Sequence, residues 1–369
     1  MAKTKTFNRL MAFAASVTMF ASAMFASGRM NAFAEGSSTS YKPTETGSIT
    51  IDYYESDENH PVVGSEWRIY KIADIVSGVS STDGGNHVTV NGLAIQPLAY
   101  KLNITGETTA EDVEKCLNYD VISESEIKFG SNKSITDGKD LVYYDGKTDS
   151  KGRIVFSNIP EGVYIGMETK AIRYHTRTVS FLVSVPGTDA YHTDTSSLDI
   201  HVEPKAVLAG DLAITKTVEY PIGNDSTNGF KINITLPEGT YRYDTTSGKS
   251  GYVTGKSASL VISDKETVTI YDIPGGSSYK VEEDAESQTG YQTTYENSSG
   301  TIKSNTATAV KVNNLSEEGY KRYRQIQAKK KTKTLEDTDA GQMTVIAGGM
   351  FIAAAVLIAA LSRKKGEAE

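Results

Sequence analysis

Apolar and polar residues alternate in short runs through most of this chain. Ser48-Ile49-Thr50-Ile51-Asp52-Tyr53, Val88-Thr89-Val90, Asp199-Ile200-His201-Val202, Leu212-Ala213-Ile214-Thr215 and Val310-Lys311-Val312 all repeat with period two. That is the spacing of a strand with one face buried. The 21 tyrosines and the many threonines suit strands better than helices. Only Thr108 to Leu117 reads as a helix, with Thr109 as its cap and Asp112 at the third helical position. Short strands separated by Gly and Pro turns predict an all-β chain of sandwich type.

One phrase of this pattern occurs twice. Ile154-Val155-Phe156-Ser157-Asn158-Ile159-Pro160-Glu161-Gly162-Val163-Tyr164 is followed by Glu168, and Val268-Thr269-Ile270-Tyr271-Asp272-Ile273-Pro274-Gly275-Gly276 by Tyr279 and Glu283. Each copy predicts a strand, an Ile-Pro turn and a second strand on which Tyr and Glu share a face. An acid on the inner face of an apolar strand is costly unless it has partners. A short alternating strand also opens each half, Gly47 to Tyr53 and Gly210 to Lys216. The chain therefore reads as two tandem modules, 45–205 and 206–316, with the boundary at Pro204-Lys205-Ala206-Val207.

The ends change the picture from a globular protein to a displayed one. Lys3, Lys5 and Arg9 precede an apolar stretch from Leu10 to about Phe25, and Ala32-Phe33-Ala34 offers a cleavage site, so 1–34 reads as a signal peptide. Residues 35–44 form a Gly- and Ser-rich lead-in. Met343 to Leu361 carries no charge and has the length of a transmembrane helix; Arg363, Lys364 and Lys365 in the tail 362–369 hold that end in the cytoplasm. Residues 317–342, with Lys329-Lys330-Lys331 and Lys333, read as a basic, extended linker through a cell wall. A net charge of −8 argues against nucleic acid as a partner. A single cysteine, Cys116, excludes an intrachain disulfide, so an exported chain must find covalent reinforcement elsewhere or do without.

Parity along the strands of the second module points to a source of such reinforcement. Leu212, Ile214 and Lys216 share a face, as do Tyr279, Val281 and Glu283, and Val310, Val312 and Asn314. Three apolar stripes thus end in Lys, Glu and Asn. A buried Lys or Glu is rarely unpaired. With Gly210-Asp-Leu-Ala-Ile-Thr-Lys216, Tyr279-Lys-Val-Glu-Glu283 running on to Gly290-Tyr291, and Val310-Lys-Val-Asn-Asn314, the module resembles the CnaB-type domains of Gram-positive surface proteins. The resemblance implies an isopeptide bond from Lys216 to Asn314, with Glu283 polarising the Asn carbonyl and shuttling protons. Burial favours the neutral amine that such an attack requires. Asn313 stays open as the acceptor, since a slip of one residue exchanges the faces.

The first module has Tyr53 where the second has Lys216, and no Asn in its closing strand, so Glu168 reads as a hydrogen-bonded structural acid. That strand, Leu198-Asp199-Ile200-His201-Val202-Glu203-Pro204-Lys205, is similar to the pilin motif of sortase-assembled backbone pilins, although Glu203 and Ala206 replace its Tyr and Asn. Val63-Gly64-Ser65-Glu66-Trp67-Arg68-Ile69-Tyr70-Lys71 and Phe181-Leu182-Val183-Ser184-Val185-Pro186 resemble the amino-terminal domain of the same pilins. The resemblance implies that Lys205 is the amine that joins subunits. Leu335-Glu336-Asp337-Thr338-Asp339 stands where a sortase signal belongs, with Thr338 as the linkage residue, but lacks its Pro and Gly.

The implied function is that of a structural subunit of a covalently polymerised surface pilus used in adhesion. Its partners would be a sortase, neighbouring subunits, peptidoglycan and a host or matrix ligand. The alternative is a monomeric surface adhesin. The five histidines show no metal spacing, no nucleotide motif occurs, and neither a cofactor nor an enzymatic activity beyond the self-directed bond is expected.

Overall fold

A computed structural model describes residues 45–336 except 57–59, 76–87, 91–92, 106 and 188–196. The expected signal peptide, lead-in, Thr338, apolar run 343–361 and tail lie outside these residues. No helix within them is long and apolar enough to cross a membrane.

The chain is all-β, as its alternation predicts. Among the described residues the strands form sheets of three, eight, seven and four strands. In the two smaller sheets the strands Asp199–Val202, Phe230–Thr235 and Ser278–Glu283 alternate between more exposed and buried residues, and the buried sets pack into apolar cores. Ile49, Ile51, Trp67, Tyr164 and Val202 belong to one core, and Ile214, Ile232, Val268, Val281 and Val310 to another. A third core lies around Ile72, Ile95, Val113 and Met167. The short α-helix of this region, Ala110–Glu114, has Thr109 as its cap with Asp112 closing a capping box; it is shorter than the ten residues expected.

The two halves repeat one arrangement of strands. In the first, the opening strand Thr46–Asp52 lies between the closing strand Asp199–Val202, parallel to it, and the turn strand Arg153–Pro160, antiparallel. In the second, the opening strand Val207–Glu219 lies in the same way between the closing strand Ala307–Ser316 and the turn strand Thr267–Pro274. Registers correspond residue by residue. Gly47 pairs with Ile159 and Gly210 with Ile273, and both opening strands bulge just after that glycine. A Cβ on Gly47 would lie 2.0 Å from the Leu198 carbonyl oxygen, and one on Gly210 1.9 Å from that of Lys303. Only glycine permits either approach. Asn158 and Asp272, before the two Ile-Pro turns, both adopt left-handed backbone at φ 56° and 53°.

The described residues up to Ser316 form one compact unit and those from Glu317 another. Within the first unit the strand Val207–Glu219 serves both halves. Its first two residues pair with His175–Thr176, and the rest runs through the seven-stranded sheet. Arg173 meets Asp211 at 2.5 Å, Asp272 accepts from the Tyr174 N–H, and Glu124 accepts from the Thr240 N–H.

The second unit corrects the sequence reading. Glu317–Glu336 is a helix of 20 residues, not an extended tether. The segment contains no proline and is rich in Lys, Arg, Gln and Glu, all good helix formers. Glu317 and Glu318 occupy the first turn, where the helix dipole favours acids, and Glu318 pairs with Arg322 one turn on. The polarity of this charge run suggests an extended tether, but its helix propensity decides its conformation.

Candidate functional site

The three residues that end the apolar stripes of the second half meet inside it. Lys216 and Asn314 are completely buried and Glu283 is nearly so. Two neighbouring strands of one sheet carry Lys216 and Asn314; Glu283 ends the strand Ser278–Glu283 of the facing four-stranded sheet. Parity produces this directly, because that strand alternates exposed and buried from Ser278 to Glu283 and the closing strand does so from Ala307 to Val312.

The carboxyl of Glu283 stands between the other two groups. Lys216 Nζ lies 3.2 Å from Oε2 in an ion-pair contact that lacks hydrogen-bond alignment, and Asn314 Nδ2 donates to Oε1 at 2.8 Å. Lys216 Nζ also donates to the Thr217 carbonyl at 3.3 Å and sits 4.5 Å from the centre of the Phe230 ring. Burial dominates the titration of the amine and lowers its pKa from 10.5 to about 8, against the opposing pull of Glu283. About one amine in ten is then neutral at pH 7, far more than for an ordinary lysine, and a nucleophilic amine must be neutral. One detail departs from expectation. Glu283 touches the amide nitrogen of Asn314, the atom that would leave, rather than the carbonyl oxygen it was expected to polarise. The carbonyl oxygen Oδ1 is buried with no hydrogen-bond partner among the described residues.

Asn313 points the other way. It accepts from Thr217 Oγ1 at 2.7 Å and donates to Glu219 Oε1 at 2.9 Å, away from Glu283. Three residues that motif reading passed over also frame the site. Phe230 lies against Lys216; Tyr295 accepts from the Glu283 N–H at 3.1 Å; Gln288 donates to the Glu283 carbonyl at 2.8 Å. The alternation of Tyr291, Thr293 and Tyr295 was the available signal, because period two places all three on one face.

The corresponding place in the first half is closed by hydrogen bonds. Glu168 is completely buried and accepts from Tyr53 Oη at 3.0 Å, Ser65 Oγ at 2.6 Å and the Thr178 N–H at 2.8 Å. Tyr53 occupies the place of Lys216 in the strand repeat, and buried Ala206 that of Asn314. Burial raises the pKa of Glu168, opposed by its hydrogen bonds to Ser65, Thr178 and Tyr53. The neighbouring Lys205 is partly buried. Its backbone bridges to Tyr54, and its carbonyl accepts from Thr178 Oγ1 at 2.8 Å. Lys205 thus lies three residues beyond the first half's closing strand, remote in sequence from Thr338, which is outside the described residues. Among those residues no group of three or more His, Cys, Asp or Glu side chains is placed to hold a metal ion.

A family model described as a domain of unknown function (DUF7601) matches residues 210–316, from the bulge glycine of the second opening strand to the end of the closing strand. No curated protein matches the chain. Similar solved structures are Gram-positive pilins. The minor pilin of Streptococcus agalactiae is 16% identical, over 73% of this chain and 96% of that one, at a TM-score of 0.30. The major pilin of Streptococcus pyogenes is 12% identical, over 74% and 99%, at 0.29. The shaft pilin of Lactobacillus rhamnosus GG is also 12% identical over 74% and 99%, at 0.29. Likeness at this level transfers no residue role to this chain.

Proposed function

We propose that the chain is a structural subunit of a covalently assembled surface pilus, and that its second half seals itself with an isopeptide bond between Lys216 and Asn314. The observation that carries the chemistry is the sealed contact of Glu283 with both Lys216 Nζ and Asn314 Nδ2. The neutral amine attacks Cγ of Asn314. Glu283 enters as the carboxylic acid, holding the proton whose loss made Lys216 neutral. One proton leaves Nζ for a carboxyl oxygen while the acid's own proton passes to Nδ2, ammonia departs, and Glu283 is again the acid. The chain is no enzyme in the sense of turnover, since it spends the reaction on itself. The bond would join the opening strand to the closing strand of one sheet, so tension applied between them would run through a covalent link.

Assembly rests on sequence features: the leader, the terminal apolar run with its basic tail, and the Pro204-Lys205 pair just past a closing strand. In this reading Lys205 takes the acyl group of the preceding subunit from a sortase, and Thr338 supplies it. Intact mass of the full secreted chain tests the internal bond, which predicts the loss of one ammonia. Cell extracts test assembly. A detergent-resistant ladder abolished by Lys205→Ala supports the pilus, and a single band in the unaltered protein indicates the monomeric adhesin.

A further inference from the structure

The proposed reaction leaves one atom unprovided for. As the amine adds to Cγ, negative charge develops on Asn314 Oδ1, and a buried oxyanion without a donor is costly. Glu283 is engaged with Nζ and Nδ2 and offers Oδ1 nothing. Oδ1 itself has no hydrogen-bond partner among the described residues. A second buried polar atom on the neighbouring strand is also unpartnered, the hydroxyl oxygen of Thr293.

These two orphans belong to directly opposed residues. The strand Tyr291–Glu296 runs antiparallel to the closing strand, and its register sets Thr293 against Asn314. Opposed residues of an antiparallel pair project to the same face with Cβ atoms about 5 Å apart. That Thr293 faces inward follows from its neighbours at period two. Tyr291 packs edge-on to Phe230, the ring beneath Lys216, and Tyr295 bonds to the Glu283 backbone. One strand thus places three side chains around the site, and two of them already hold parts of it.

Resting on the isopeptide reading, we infer that Thr293 is the oxyanion donor of the cross-linking reaction, its hydroxyl turning to Asn314 Oδ1 as the tetrahedral intermediate forms. Nothing is transferred in this step. The Oγ1 proton stays on Thr293, charge collects on Oδ1 when Nζ bonds to Cγ, and the carbonyl re-forms when the Cγ–Nδ2 bond breaks. A threonine suits the role, because its buried hydroxyl meets no other hydrogen-bond partner among the described residues.

The test is a time course of ammonia loss in the full chain made by cell-free synthesis, followed by intact mass. Thr293→Val keeps the shape and removes the hydroxyl; Thr293→Ser keeps the hydroxyl. Loss of one oxyanion donor predicts cross-linking about a hundredfold slower in Thr293→Val, with Thr293→Ser close to the unaltered chain. An unchanged rate in Thr293→Val overturns the inference and leaves the isopeptide reading standing. Equal slowing in both variants, or a Ser variant that slows when the Val variant fails to fold, also overturns it, because packing would then explain the effect. If the unaltered chain loses no ammonia, the isopeptide reading itself fails.

Discussion

The two halves of this protein place different chemistry on the same strand arrangement. In both, a bulged opening strand lies between a parallel closing strand and an antiparallel turn strand, and a buried glutamate faces it from the other sheet. In the first half Tyr53, Ser65 and Thr178 donate to Glu168, so the acid is satisfied and inert. In the second, Glu283 has an amine on one oxygen and a carboxamide on the other. Backbone geometry therefore brings three positions together, and side-chain identity at two of them decides whether the buried acid meets a hydroxyl or an amine and a carboxamide.

The sharpest test of that contrast is removal of the amine. Lys216→Ala should abolish ammonia loss and lower stability by about 4–5 kcal/mol, the value for a link closing a loop of roughly 100 residues if it acts as a disulfide does. Thermal unfolding and intact mass read the two effects, and an unchanged melting point with ammonia retained in both proteins would remove the distinction between the halves. Glu168→Ala should leave the mass change intact and cost about 3 kcal/mol, since three buried donors lose their acceptor. A matching loss of cross-linking would mean that the two sites are coupled. Gly47→Ala and Gly210→Ala should each destabilise by about 1–3 kcal/mol, because both crowd a facing carbonyl in the same way. Unequal costs would show that the shared frame bears unequal strain.

The smallest effects are those of pH. If the proposed bond forms, the depressed pKa of Lys216 should make its rate climb with pH and level off above about 8, as the amine loses its proton, which intact mass followed over time at each pH would read. Burial raises the pKa of Glu168, so the folded state holds that proton more firmly than the unfolded chain does. Its contribution is fully present below the ordinary carboxyl value of 4.5 and is lost as pH rises through the raised folded value. Denaturant titrations of the unaltered chain and of Glu168→Gln should diverge across that window, and parallel curves would refute the assignment.

Much of this contrast was legible in the sequence. Period two placed Lys216, Glu283 and Asn314 on inner faces, and the repeated Ile-Pro phrase located both glutamates. What escaped was of two kinds. Alternation places Thr293 and Tyr295 on one face, but what they and Phe230 meet there is set by strand register, which no local motif encodes. The helix Glu317–Glu336 was missed because its residues show no apolar periodicity; propensity and end charges alone favour it. Which atom of Asn314 Glu283 touches is likewise a matter of rotamer and packing, and spacing along the chain carries no trace of it.

The parallel pairing of opening and closing strands has a kinetic consequence. Val207–Glu219 finds its partner only when Ala307–Ser316, the last strand of the sheet to leave the ribosome, has arrived. Contacts so distant in sequence make folding slow, because a long loop must be closed before the pairing stabilises anything. During that interval the opening strand has an unfilled edge, open to the wrong neighbour. An export route that delivers the chain unfolded and amino end first would keep this edge waiting longest, which makes the final ten-residue strand the step that commits the molecule to its native form.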